Sequence, residues 1–271
     1  RILPEVNEEI NEEWLSDKSR FVWDGLARQR LDKPYVRENG KLRPASWGEA
    51  FAAVKAAFSV PADKIGVVAG DLIEVEQAKA ALDLFRSLGI QSTDCRPEGA
   101  QYGDDGVRER YILNGTLAGV EDADALLLIG TNPRAEAAVW NARIRKAWLW
   151  ADLKVGRIGE AADLTYDHAW LGGGASALAD VRSSDFGKVL AEAERPMIVV
   201  GEGALCGEDG AAVLAKALEL AHEVGAVKEG WAGFGVLHNA AGRVGALDVG
   251  FVPGEGGGTT ADILSGTMET V

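Results

Sequence analysis

Three short stretches carry the residue types that could meet a ligand: Gly70-Asp71, Gly130-Thr131-Asn132-Pro133 and Gly201-Glu202-Gly203. Each follows an apolar run and precedes a helical pattern. Glycine at such a turn lets the backbone approach a bound group, and the first N–H groups of the next helix favour an anion. Pro133 and Arg134 suit the opening of a helix that faces an anionic group. Gly130, Thr131, Asn132, Arg134, Gly201 and Gly203 are therefore the candidate binding residues. A tight strand-to-helix turn favours glycine with no ligand at all, so the same residues also fit a purely structural role.

Other chemistry finds little support. Gly201-Glu202-Gly203-Ala204-Leu205-Cys206-Gly207 approaches the dinucleotide fingerprint, with its third glycine one residue late. His168, His222 and His238 have no metal-ligand spacing among them. His168 suits a hydrogen-bonded structural role, and His222 sits near a helix C-terminus, where a cation is mildly favoured. His238, next to Asn239 in a glycine-rich stretch, is the histidine best placed for function. Cys95 and Cys206 form no CxxC pair, which excludes a disulfide scaffold and a cysteine-rich metal site within this stretch. There is no GxSxG, GxxxxGK or HExxH. No catalytic residue and no metal ligand is assigned.

Alternating apolar strands and helices must position these turns. Ser46 and Glu49 have capping-box spacing for a helix through Phe58. Lys64–Gly70 reads as a buried strand, 74–88 as a helix ended by Gly89, and Ile90–Cys95 as a second strand. Ala125–Gly130 is the clearest strand, followed by a helix over 134–150 and a strand at Lys154–Ile158. A polar, glycine-rich passage at 172–183 precedes a helix at 184–194, a strand at Pro196–Gly201 and a helix over 208–224. Gly230–Gly258 holds 10 of the 34 glycines and reads as loop. Continuous apolar strands interleaved with helices predict the α/β class, with two parallel-sheet lobes covered by helices on both faces. The expected division is an extended arm at 1–45, a first lobe at 46–165 and a second at 166–271. Within the arm, Leu3, Val6, Ile10 and Trp14 recur at the spacing of a short amphipathic helix.

The 28 basic and 42 acidic residues leave a net charge of −14, which repels nucleic acid and anionic lipid. No window of about 18 apolar residues predicts a membrane span. The start at Arg1 lacks a methionine and a signal-type apolar stretch, and both ends read as cut from a longer chain.

The linear order of the pieces resembles the large iron–sulfur subunit of NADH:quinone oxidoreductase, respiratory complex I, in its alphaproteobacterial and mitochondrial form. The resemblance rests on Asn11-Glu12-Glu13-Trp14-Leu15-Ser16-Asp17-Lys18-Ser19-Arg20-Phe21 with Gly25–Leu31, and on Thr131–Ala137 with Asn141–Lys146. Val236-Leu237-His238-Asn239-Ala240-Ala241-Gly242-Arg243-Val244-Gly245-Ala246-Leu247-Asp248 is its third element. It implies a molybdopterin oxidoreductase-like fold, lying after a cluster-binding N-terminal part whose iron–sulfur clusters precede residue 1.

The resemblance further implies a non-catalytic domain of the peripheral arm, within a subunit that relays electrons from NADH and flavin towards quinone. Its partners would be its own cluster domains and neighbouring subunits, with neither nucleic acid nor direct membrane insertion. The place would be the cytoplasmic side of a bacterial inner membrane, or the matrix side in a mitochondrion. Two residues depart from related patterns. Ser16 stands where relatives with an additional [4Fe–4S] cluster have cysteine. Active molybdenum enzymes carry a metal ligand in the loop that here is Arg96-Pro97-Glu98-Gly99, and Cys95 falls slightly early. The alternative is an active molybdopterin-type domain, holding a guanine-dinucleotide pterin with Thr131, Asn132 and Arg134 near a phosphate. A regulatory nucleotide-binding domain would rest on the near-fingerprint at Gly201.

Overall fold

The computed structural model describes residues 2–103 and 106–271 and divides the chain into two compact units. One holds Asp17–Arg96 and Gly245–Val271; the other holds Pro4–Ser16 and Pro97–Val244.

The first unit begins with helix α1 (Asp17–Phe21) and a hairpin of β1 (Tyr35–Glu38) and β2 (Lys41–Pro44). The strands pair antiparallel, Tyr35 opposite Pro44 and Glu38 opposite Lys41. Asn39 (φ +49°) and Gly40 (φ +78°) are both left-handed, as a two-residue turn matching the strand twist requires. Helix α2 (Trp47–Ala57) starts at the expected capping box. There Ser46 Oγ accepts from Glu49 N at 3.2 Å, and Ser46 N donates to the Glu49 carboxylate at 2.8 Å. Next come β3 (Gly66–Val68), α3 (Val75–Ser87) and β4 (Ser92–Asp94), the two strands pairing in parallel. Gly89 (φ +79°) ends α3 as expected. Ala69, Ala78, Leu82, Cys95, Ala246 and Phe251 form the core of this unit.

The second unit is built on β5 (Ala125–Ile129), followed by α4 (Pro133–Glu136), α5 (Ala138–Trp150), β6 (Lys154–Ile158) and β7 (Ala169–Trp170). Then come α6 (Ala175–Asp180), α7 (Asp185–Glu192), β8 (Pro196–Gly201) and α8 (Gly210–Glu223). A small hairpin of β9 (Val227–Lys228) and β10 (Trp231–Ala232) leads to β11 (Phe234–Leu237). The five-stranded sheet has the order β11-β8-β5-β6-β7, and every pair in it is parallel. All residues of β5 and β8 are buried, which is why both read as continuous apolar runs. On one face, Leu126, Leu128, Met197 and Val199 pack with Trp140, Ile144 and Ala147 of α5.

Several expectations require correction. The expected lobe boundary at 165/166 falls inside the second unit, because β5 and β6 from one side share a sheet with β8 and β11 from the other. The stretch from Gly230 contains the edge strand β11, whose Phe234 and Val236 enter the core. Its glycines serve close packing: a Cβ on Gly233 would stand 2.2 Å from Pro196 O, and one on Gly235 would stand 2.5 Å from the Leu113 side chain. The glycine-rich passage at 172–183 contains α6. The helix expected over 134–150 breaks at Ala137, which leaves helical geometry (φ −141°, ψ 60°) yet keeps bonds to Pro133 O and Asn141 N. Residues 3–14 are not helical. Instead, Asn7 O accepts from Ile10, Asn11 and Glu12 N–H, and the Asn7 side chain takes Glu9 N–H, so this polar residue organises a turn. Among the described residues, no helix is long and apolar enough to cross a membrane.

Candidate functional site

In the five-stranded sheet the chain moves from β5 outwards to β6 and β7, then returns to β8 on the other side of β5 and on to β11. The carboxyl ends of β5 and β8 therefore form the point where strand order reverses, the usual place for a ligand in such sheets. A cleft of ≈ 440 Å³ lies there. Its walls come from the turn after β5 (Gly130, Thr131, Asn132), the turn after β6 (Gly159, Glu160) and the turn after β8 (Gly203, Ala204).

Four of the six candidate residues, Gly130, Thr131, Asn132 and Gly203, line this cleft; two do not. Arg134 turns to Asp163, 2.7 Å from its carboxylate. Gly201 packs the sheet: a Cβ on it would meet Gly130 O and Thr131 Cβ at 2.7 Å. Gly130 also has a structural task, since it adopts φ +62° and its added Cβ would lie 2.4 Å from Ala204 Cβ. Gly130→Ala is expected to cost about 1–3 kcal/mol through overpacking and left-handed backbone, measured by urea denaturation. Gly203 has open space where a Cβ would go, so its substitution should be near neutral.

The charged lining was not evident in the sequence. Arg157, a cation among Val155, Gly156 and Ile158 in the expected strand, was the available signal. Its guanidinium is almost fully buried, donating from Nε to Thr131 O at 3.1 Å and from Nη1 to Glu160 O. Burial lowers its pKa from the ordinary guanidinium value. Glu136, Glu160 and Asp209 add three carboxylates to the cleft, and Glu136 accepts a short bond from Thr131 Oγ1. Asn132 Oδ1 is buried there with no hydrogen-bond partner, another acceptor.

A guanine-dinucleotide pterin would bring a pyrophosphate, which needs converging donors and positive charge. The cleft offers acceptors, three carboxylates and a single guanidinium, two of whose N–H groups bond backbone carbonyls. Cys95 is only 1% exposed and belongs to the core of the first unit. Among the described residues no group of three His, Cys, Asp or Glu could hold a metal ion. The residues present do not fit that cofactor.

A second polar cluster lies in the core of the same unit. Glu202, directly after β8, is only 5% exposed, yet it accepts from four donors. Tyr102 Oη stands at 2.6 Å, Arg243 Nε at 3.1 Å, His238 Nδ1 at 3.2 Å and Asn239 N at 3.3 Å. His238 Nε2 lies 2.6 Å from Tyr111 O, and its ring meets Tyr102 edge-on at 5.3 Å between centroids. His238, the favoured histidine, is thus a buried bridge rather than a cleft residue. Burial alone would raise the Glu202 carboxyl, but the bonds from His238, Tyr102 and Asn239 outweigh it and hold the pKa down at about 2. A carboxyl depressed on folding stabilises the native state above its unfolded value, and that contribution disappears as pH falls towards 2. Up to about 3 kcal/mol should be lost between roughly pH 5 and 2, and an E202Q variant should show a flatter acid limb in pH-dependent denaturation. Burial pushes the Cys206 thiol up, so this cysteine is no activated nucleophile. His168 Nδ1 lies 3.3 Å from Tyr166 O, and His222 sits in the last turn of α8.

One further set of contacts fixes the N-terminal segment. Arg143 of α5, 2% exposed, reaches Ile10 O at 3.1 Å, Glu8 O and the Glu121 carboxylate at 2.5 Å. Lys146, one turn on, pairs with Glu12 and with Glu121 at 2.9 Å. Its hydrogen bond lowers the Glu12 pKa. Two cations of α5 thus hold residues 8–12 in place.

Residues 1–24 match the 4Fe-4S domain of NADH-ubiquinone oxidoreductase NDSU1/NuoG-like proteins. The chain is 43% identical over 261 residues to the mitochondrial NADH-ubiquinone oxidoreductase 78 kDa subunit of Neurospora crassa, covering 93% of this chain and 35% of the relative. The corresponding Candida albicans subunit is 40% identical over 257 residues, covering 93% and 36%. A NADH-quinone oxidoreductase subunit of the bacterium Rickettsia felis is 43% identical over 254 residues, covering 93% and 38%. The chain thus spans little more than a third of the length of these relatives. Residues 30–268 match the molybdopterin oxidoreductase model, and the chain belongs to the molybdopterin oxidoreductase family.

Proposed function

We propose that this chain is the non-catalytic α/β part of the large iron–sulfur subunit of a respiratory NADH:quinone oxidoreductase. The subunit's clusters, bound upstream of residue 1, relay electrons from NADH and flavin towards quinone. This part holds the cluster-bearing region in place and contacts neighbouring subunits of the peripheral arm. The complex sits on the cytoplasmic side of a bacterial inner membrane, or on the matrix side in a mitochondrion. No step of chemistry is assigned to the chain itself.

The observation that carries this reading is the clamp on residues 8–12. The stretch matching a 4Fe-4S domain runs through 1–24, and Arg143 and Lys146 fasten it to the helix that backs the central sheet. A buried guanidinium that bonds two backbone carbonyls and a carboxylate acts as a structural fastening. The acceptor-rich cleft supports the same reading, since it suits neither a pterin dinucleotide nor a metal.

Affinity purification of the full-length subunit from solubilised membranes tests the proposal. The expected result is a multi-subunit assembly that oxidises NADH and reduces a quinone. Recovery of the full-length protein as a single-chain oxidoreductase with its own substrate would contradict it.

A further inference from the structure

The N-terminal quarter of the chain is ordered without a core. From Ile2 to Lys64 no residue is buried; Ile65 is the first that is. Helices α1 and α2 and both strands of the β1–β2 hairpin contain no buried side chain. A two-stranded hairpin alone is marginal in water, and an isolated helix shorter than about 12–15 residues is too. Yet this segment is rich in large apolar residues: Phe21 (67% exposed), Trp23 (51%), Leu26 (60%), Trp47 (66%), Phe51 (64%) and Val54 (49%).

On α2 these residues form one stripe. At 100° per residue, Trp47, Phe51 and Val54 fall within about 60° of one another, and Glu49 lies on the far side. Glu49 pairs with Arg43 of the hairpin at 3.0 Å, so the hairpin takes the polar side of the helix and leaves the apolar stripe uncovered. The Trp47 and Phe51 rings lie 5.7 Å apart between centroids, tilted by 33°, and form an aromatic surface. An exposed contiguous apolar face of this kind marks an interaction site.

The occupant follows from continuity of the chain. Residues 1–24 match a 4Fe-4S domain, and Asp17–Asp24 lie in the same unit as α2. Curated relatives have nearly two-thirds of their length outside the matched stretch, 35% of the Neurospora crassa subunit being covered. A domain tethered by a short connection is present at an effective concentration on the order of millimolar, far above that of a free partner.

We propose that the Trp47–Phe51–Val54 stripe is the seat of the iron–sulfur part of the same polypeptide. This rests on the function proposed above and adds the surface through which the two parts meet. The surface is apolar and aromatic, so burial drives the contact, and net charge contributes little to it.

The test uses the full-length subunit in its assembled complex. A benzophenone amino acid replaces Phe51, Trp47 or, as a control on the opposite side of α2, Ala53. The expected result is cross-linking from positions 51 and 47 into the cluster-bearing part of the same chain, several-fold above the control. Cross-links from 51 and 47 into a different subunit, or none above the control, would overturn the proposal. A complex that assembles with its iron while the cross-links go elsewhere defeats the docking surface alone. A subunit that joins no complex defeats the functional reading. As a second measurement, W47S/F51S should speed tryptic cleavage at Arg28 and Arg30 several-fold in the full-length protein, and an unchanged rate would contradict the proposal.

Discussion

Glu202→Ala is expected to destabilise the protein by about 3–5 kcal/mol, the usual consequence of removing one partner from a buried charge cluster. The loss follows from what remains. The Arg243 side chain is 5% exposed and that of His238 7%, and each would lose its contact with the carboxylate. Tyr102 and the Asn239 N–H would lose an acceptor as well, and an unmet buried donor costs about 1–3 kcal/mol. Glu202 joins three separate pieces of the second unit: the end of β8, the segment around Tyr102, and the turn after β11. E202Q should cost less, because the amide oxygen still accepts from Tyr102 and Arg243. Denaturation midpoints of the two variants check the order; equal and small losses would show that the cluster is not a structural unit.

Arg143→Ala is the second large effect, again about 3–5 kcal/mol for a buried charge and its partners. Here the damage should be local as well as global. Glu8 O and Ile10 O lose their donor, and Lys146 alone would hold Glu12 and Glu121. Hydrogen exchange over residues 4–16 should rise by orders of magnitude while β5 and β8 stay protected. In the assembled complex the same variant should weaken retention of the subunit. R143K keeps the charge but not the fork of donors, so it should fall between the two. Uniform loosening of the whole second unit would mean that Arg143 supports the core rather than the N-terminal segment.

Much of the fold could be read directly from local pattern. The strands at Lys154–Ile158 and Pro196–Gly201 lie where their apolar runs place them, and the helix expected at 74–88 is Val75–Ser87. Such elements are legible because burial on both faces leaves a continuous apolar run and glycine marks the ends. β11 was not legible: its Gly235 and the flanking Gly233 look like loop residues, whereas they exist to let the strand lie beside β8. The grouping of Gly245–Val271 with the first unit depends on contacts such as Thr270 with Ile65, far apart in sequence.

The candidate site shows the same division. The turn at Gly130–Asn132 was legible because it follows the clearest strand. Arg157, Glu160 and Asp209 reach the cleft from other strands and a helix N-terminus, and nothing local in sequence unites them. The Glu202 cluster spans residues 36 and 41 positions apart with His238 and Arg243. His238 is the histidine the sequence favours and Glu202 lies within one of the glycine turns, but only the fold brings them together. Arg134 looked suited to an anion by its place at a helix start; its carboxylate partner Asp163 arrives from a loop 29 positions on.

A scaffold role, as proposed, leaves the strand-end cleft without a pterin cofactor. Metal analysis of the full-length subunit in its native complex, by mass spectrometry, tests this most directly. The expected result is iron without molybdenum or tungsten. Stoichiometric molybdenum or tungsten would contradict it and would require a ligand and an anion site that the acceptor-rich cleft does not provide.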